Sequence, residues 1–171
     1  MITFEAFLEE DFDRLISWIK SEEELIQFAG SIFRFPLTRE QLTVYLNNIT
    51  RQVFKIKLIA TNEIIGHCEL NFQNASPRLS RILIGDANNR NKGLGKAIVK
   101  EMLDKLFFNP QFNEADLNVF DWNSNAIASY KKSGFVINTG HDSQMIVNEK
   151  KWNAVNMTIS KKDFIANNII S

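Results

Sequence analysis

One stretch of this chain, Ile82 to Lys105, gathers an arginine, several lysines and two closely spaced glycines; it reads ILIGDANNRNKGLGKAIVKEMLDK. A short apolar run (Ile82, Leu83, Ile84) enters a polar elbow. Beyond it Leu94, Ala97, Ile98, Met102, Leu103 and Leu106 recur at helical spacing. A strand that turns through glycines into a helix N-terminus leaves unpaired N–H groups aimed at one point, with the helix dipole behind them. Such a point binds anions, most often phosphate.

Two common phosphate loops fail on spacing. A Walker loop would place Arg90 at its first glycine and Ala97 at its hydroxyl position. The dinucleotide fingerprint would need a third glycine where Ile98 stands. The pattern that fits is Arg/Gln-x-x-Gly-x-Gly/Ala, here Arg90-Asn91-Lys92-Gly93-Leu94-Gly95. It resembles the acetyl-CoA pyrophosphate loop of the GNAT superfamily of N-acyltransferases. Taken alone, the same residues also describe a glycine elbow before a surface helix.

A second constellation follows. Asn123, Ala126, Tyr130 and Ser133-Gly134-Phe135 have the spacing Asn-x-x-Ala-x-x-x-Tyr-x-x-x-Gly-Phe. This resembles the second signature of the same superfamily, in the expected order after one helix and one strand. The IGD…R-x-KG-x-G form of the loop and an N-terminal aromatic segment ending in Pro36-Leu37-Thr38 resemble the branch that includes ribosomal-protein alanine acetyltransferases.

The resemblance implies a fold, a cosubstrate and roles. The fold is α/β (α+β), with a central mixed, mostly antiparallel sheet of about seven strands and helices on both faces. The strands ending at Gly85 and at Phe120 would splay apart, and the pantetheine arm of acetyl-CoA would fill the wedge. Backbone N–H groups from Asn91 through Lys92, Gly93, Leu94, Gly95 and Lys96 would hold the pyrophosphate, with Arg90 and Lys96 adding charge. Glycine is required where a Cβ would block the approach or meet a strained backbone. A main-chain N–H near Leu83 or Ile84 would polarise the thioester carbonyl, and Gly85 would also bind the cofactor. The reaction is direct transfer to an amine, with Tyr130 as the general acid on the departing thiolate and Asn123 at the cofactor or the amine. Tyr130 also reads as a packed aromatic, and Asn123 as a helix cap. A non-catalytic acyl-CoA-binding module is the rival from another class.

The general base departs from the family pattern. Members of the histone-acetyltransferase type carry a Glu on the strand before the loop, where this chain reads Arg78-Leu79-Ser80-Arg81. Glu69 is the substitute candidate, sharing a strand face with His67 and Asn71. That trio also describes a solvated face, and a water chain is a third route for the proton. Asn91 is a further departure, since the branch often has glycine there.

The elements that must position these residues follow from periodicity and breakers. Residues 2–7 alternate as a strand; 11–20 form a helix. Ser21 and Thr38 stand as N-caps for helices over 22–28 and 39–48. Strands are expected at 53–60 and 64–72, forming a hairpin, and at 79–84. A strand at 115–120, a short helix over 123–132 closed by Gly134, strand pieces at 135–139 and 145–148, and a strand at 154–160 complete the sheet. Residues 161–171 read as a helix or a packed tail. Trp18, Phe28, Phe33, Phe35 and Tyr45 read mostly as core, with one or two lining the acceptor pocket.

Composition bounds the reading. The 171 residues suit one domain, 1–171. Basic and acidic residues balance at 20 each, which favours neither nucleic acid nor an anionic membrane as a partner. One cysteine and two histidines leave no metal centre to expect and fit a reducing compartment. Without a long apolar run, neither a signal peptide nor a membrane span is expected, and the cytoplasm is the default. The expected partner is an amine-bearing acceptor, small molecule or protein, and the chain a monomer or homodimer.

Overall fold

The computed structural model describes residues 1–90 and 92–169. Asn91, expected in the pyrophosphate loop, lies outside the described residues. The chain forms two compact units, residues 1–73 with 80–94, and residues 74–79 with 95–171. Among the described residues there are eight strands, mostly antiparallel, and six α-helices. No helix among them is long and apolar enough to cross a membrane.

In the first unit, β1 (Ile2–Ala6), β2 (Arg51–Leu58), β3 (Ile64–Asn71) and β4 (Arg78–Ile84, from Ser80) are neighbours in that order. β1 runs antiparallel to β2, and β2 to β3. Three helices join the first two strands: α1 (Phe12–Trp18), α2 (Glu22–Ala29) and α3 (Arg39–Leu46). Local chemistry sets their limits. Ser21 Oγ accepts from the Glu24 N–H at 3.2 Å, and Glu22, Glu23 and Glu24 complement the dipole of the first turn. Thr38 caps α3 in the same way, and Gly30, at φ +63°, ends α2. Leu15, Leu25 and Leu42 are enclosed with Phe7, Phe12 and Phe28 in one core. Each such leucine contributes roughly 1.5–3 kcal/mol by leaving water.

The second unit holds α4 (Leu94–Phe107, from Gly95), β5 (Glu114–Phe120), α5 (Ser124–Lys132), β6 (Val136–Ile137), β7 (Ser143–Val147), β8 (Lys150–Ser160) and α6 (Lys161–Ile169). β8 is its spine. It pairs antiparallel with β5 from Ser160 opposite Glu114 to Ala154 opposite Phe120, and with β6 and β7. The first residue of β4, Arg78, pairs parallel with Asp116 of β5. α4 buries Ile98, Val99, Met102, Leu103 and Leu106, the helical stripe expected from its periodicity.

Two elements differ from the periodicity. β8 begins at Lys150 rather than Ala154, because Asn148 and Glu149 adopt φ of 46° and 62° and close a two-residue hairpin with β7. Such a turn usually contains glycine, and this one does not. The expected strand at 135–139 is reduced to Val136 and Ile137.

Candidate active site

The sequence-predicted residues divide between the units. Glu69, Leu83, Ile84, Gly85, Arg90, Lys92, Gly93 and Leu94 belong to the first; Gly95, Lys96, Asn123 and Tyr130 belong to the second.

β4 ends where the loop begins. Gly85 donates its N–H to Ile65 O at 2.9 Å. Since backbone donors alternate along a strand, the Leu83 N–H lies on the β3 side as well, and the Ile84 N–H faces away from β3. Of the candidate donors to a carbonyl oxygen, Ile84 is therefore the one left free of the β3 ladder. Gly85 itself has a packing reason. A Cβ there would fall within 3 Å of the Trp18 indole, so only glycine lets α1 come this close. Arg90 works as a clamp on this corner: its Nε donates to Ile84 O at 3.0 Å and its Nη2 to Gly85 O at 3.1 Å. Asp86 caps the intervening turn by accepting from the Asn88 N–H at 2.9 Å.

The two loop glycines have different reasons to be there. Gly93 sits at φ +77°, a backbone that L side chains rarely adopt. Gly95 has no such requirement, and a Cβ on it would meet nothing within 4 Å among the described residues beyond its chain neighbours and its own helix backbone. The protein alone does not demand glycine at the first turn of α4. A group docking on those N–H donors does, so the residues fit the pyrophosphate of CoA. Lys92 and Lys96 are exposed beside them.

The second signature is a capped helix. Asn123 Oδ1 accepts from the Ala126 N–H at 3.2 Å and starts α5. At the other end Gly134, at φ +98°, donates to Lys131 O, and Phe135 donates to Tyr130 O, both at 3.0 Å. The ring of Phe135 lies 6.0 Å from that of Tyr130, the hydrophobic contact that accompanies this termination. The motif spacing is thus one helix with both ends specified, and it fixes the Tyr130 side chain on its last turn. Burial pushes the Tyr130 phenol up to about 12, so it stays protonated through the neutral range.

Glu69 departs from the solvated-face reading of its strand. His67 and Glu69 are fully buried and Asn71 nearly so, because helices cover this face of β3: the rings of Phe7, Phe28 and Tyr45 all lie against His67. The solvated face is not found. Glu69 accepts from Tyr45 Oη and from an Arg81 Nη1 donor, each at 2.5 Å, and Arg51 stands at 3.8 Å. The pairing of β2 and β3 explains this geometry. Val53 lies opposite Glu69 and Arg51 opposite Asn71, so Arg51 reaches Glu69 on the diagonal. Both Glu69 oxygens are engaged and the side chain has no exposure, so it anchors the arginines around it.

Arg81 is the residue that sequence reasoning missed. Its backbone is left-handed, at φ +51°, in the middle of β4, which costs on the order of 1–3 kcal/mol unless the surroundings hold it. Two β3 side chains do hold it: Glu69 takes the guanidinium and His67 Nδ1 donates to its carbonyl at 3.0 Å. Burial lowers the His67 pKa to about 4, with the Arg81 charge adding to the effect, so the ring is neutral. No local signal marks an arginine for this conformation. Both guanidinium groups contact the Tyr45 ring, their carbons 5.2 Å and 5.5 Å from its centroid. Each cation–π contact contributes about 0.5–2 kcal/mol, less than the several kcal/mol that an uncompensated buried charge costs.

Residues 2–136 match the acetyltransferase (GNAT) domain family. The chain belongs to that family. Among solved structures it is similar to a spermidine N-acetyltransferase from Vibrio cholerae in complex with CoA and spermine, with a TM-score of 0.79 and 18% identity over 96% of this chain and 98% of that one. It is also similar to the aminoglycoside acetyltransferase AAC(6')-Ib in complex with coenzyme A and kanamycin, with a TM-score of 0.74 and 18% identity over 97% and 98%. At this identity the likeness is one of fold.

Proposed function

We propose that the protein transfers an acetyl group from acetyl-CoA directly to a primary amine on a small acceptor. The observation that carries the reading is Gly95: a glycine that the protein's own packing and backbone do not require, at the helix N-terminus where the family's cosubstrate docks. Acetyl-CoA supplies an activated acyl group with a thiolate leaving group. This chain supplies the rest. The Gly93–Lys96 turn holds the pyrophosphate, the Ile84 N–H stabilises negative charge on the carbonyl oxygen, and the Tyr130 phenol protonates the departing sulfur. The amine loses its proton to solvent, since Glu69 is enclosed. The solved structures with spermine or kanamycin bound support a small amine-bearing acceptor. The enclosed Glu69 also favours the rival reading, an acyl-CoA-binding module without turnover.

A thermal-shift titration with acetyl-CoA, with CoA and ATP as controls, tests the site. Ligand at about a hundred times its Kd adds roughly 2.7 kcal/mol and raises the midpoint by a few degrees. A shift with acetyl-CoA and CoA but not ATP is expected; none at millimolar ligand would overturn the reading. Tyr130→Phe then separates enzyme from module. It is expected to lower thiol release on the order of a hundredfold while the acetyl-CoA shift is kept.

A further inference from the structure

We propose that Arg51 and Arg81 receive a carboxylate carried by the amine acceptor, so that the enzyme selects acceptors bearing both an amine and an acid; this rests on the acetyl-transfer reading above. Charge comes first. Among the described residues the largely buried cations around β3 are Arg51, Arg81 and Lys55, and the buried carboxylates are Glu69 and Asp11, the latter also met by the partly exposed Arg14. Lys55 is matched to Asp11 at 3.1 Å, which leaves two guanidinium groups on the single Glu69. His67 and Tyr45 are neutral and cannot make up the difference.

Unused hydrogen bonds point to the same place. Of the buried side-chain polar atoms without a partner among the described residues, Arg51 Nε, Arg81 Nε and His67 Nε2 all belong to this cluster. The sealed Nε donors show that the interior alone does not balance these two cations, and the surplus positive charge asks for an anion. A carboxylate supplies that counter-charge at the part of the two guanidinium side chains that stays exposed. Access favours it too: Arg51 and Arg81 keep 11% and 9% of their side-chain surface exposed, with Glu69 sealed behind them. Position ties the cluster to the reaction. Arg81 lies three residues before Ile84 on β4, the strand whose N–H is assigned to the carbonyl oxygen. An amine with no acid group would leave the surplus charge unmatched.

The test uses acceptors in pairs that keep the amine and differ in the acid, such as lysine against cadaverine and glycyl-glutamate against glycyl-glutamine. Thiol release from acetyl-CoA is measured for each pair, and binding to the CoA-saturated protein is measured by calorimetry. The acid-bearing member should win by about ten- to a hundredfold in kcat/KM or affinity, the range of a charge-assisted hydrogen bond. Arg51→Met should erase that preference and leave the acetyl-CoA shift intact. Its melting temperature should be unchanged or raised, because an unmatched buried cation has been removed. Arg51→Lys, which keeps the charge but loses the planar fork, should fall between. Equal use and equal binding of the two members, or an Arg51→Met variant that weakens both alike, would overturn the proposal. An acid preference in binding without any thiol release would instead sink the transfer reading.

Discussion

Two buried carboxylates on different strands meet different company. Asp116 of β5, in the second unit, takes a two-pronged contact from Arg78, at 2.8 Å from Nε and 2.6 Å from Nη2, and a third bond from Asn156 Nδ2 at 3.0 Å. Asn156 in turn donates to Leu117 O and Asn118 Oδ1. Here charge and hydrogen bonds match one to one, and neither Arg78 nor Asn156 has an orphaned atom among the described residues. Glu69 of β3, in the first unit, faces two guanidinium groups and a phenol, and three buried polar atoms around it have no partner among the described residues. The contrast separates scaffolding from a site. A polar network built only to hold strands together can satisfy every member, and an unsatisfied one in the interior is costly. The second unit has orphans of its own, Ser76 Oγ and Asn153 Oδ1, but they are not members of the Asp116 network, whereas those around Glu69 stand beside the strand proposed to carry the reaction.

The largest expected effect sharpens this contrast. Glu69→Gln leaves two guanidinium groups without a counter-charge and should destabilise the fold by about 3–5 kcal/mol. In the variant that remains folded, the left-handed turn at Arg81 loses one of its two anchors, so turnover should fall along with the melting temperature. A drop in stability with unchanged turnover would make Glu69 a scaffold like Asp116.

Next in size is a pH effect. The His67 pKa is about 4 in the folded chain, against 6.5 for an ordinary histidine. Between those values the unfolded chain binds the extra proton, so the stabilisation is complete above pH 6.5 and is lost as pH falls through 4, by roughly 3 kcal/mol. Denaturant melts across this window should show the slope, and His67→Gln should remove most of it. Asp11 does not blur the result. Burial by itself would raise its pKa, but the Leu8 N–H, Lys55 and Arg14 bring it below 3.8, and its own loss of stability falls at lower pH.

The smallest effect belongs to the second unit. Asp116→Asn keeps the shape and some of the hydrogen bonds while removing the charge that Arg78 meets at its partly exposed position, and should cost about 1.5–3 kcal/mol. Acetyl-CoA affinity and turnover at low temperature should not change. A loss of turnover without a loss of stability would break the division between the two carboxylates.

The chain by itself determined what is local. The loop at Arg90 to Gly95, the helix stripe behind it and the caps at Ser21, Thr38 and Asn123 were all legible, because a cap or a glycine elbow is specified within one turn of backbone. The Asn123-to-Phe135 spacing was legible for the same reason, since it encodes both ends of one helix. The roles of Arg81, Arg51 and Glu69 were not. Alternation along β3 told which side chains share a face, but an exposed face and one roofed by α1 to α3 have the same period. Only packing seals Glu69, brings Tyr45 of α3 against it and turns Arg81 left-handed between His67 and Glu69. Those contacts join residues far apart in the chain, and their energies depend on burial, a property of the folded protein that no local pattern carries.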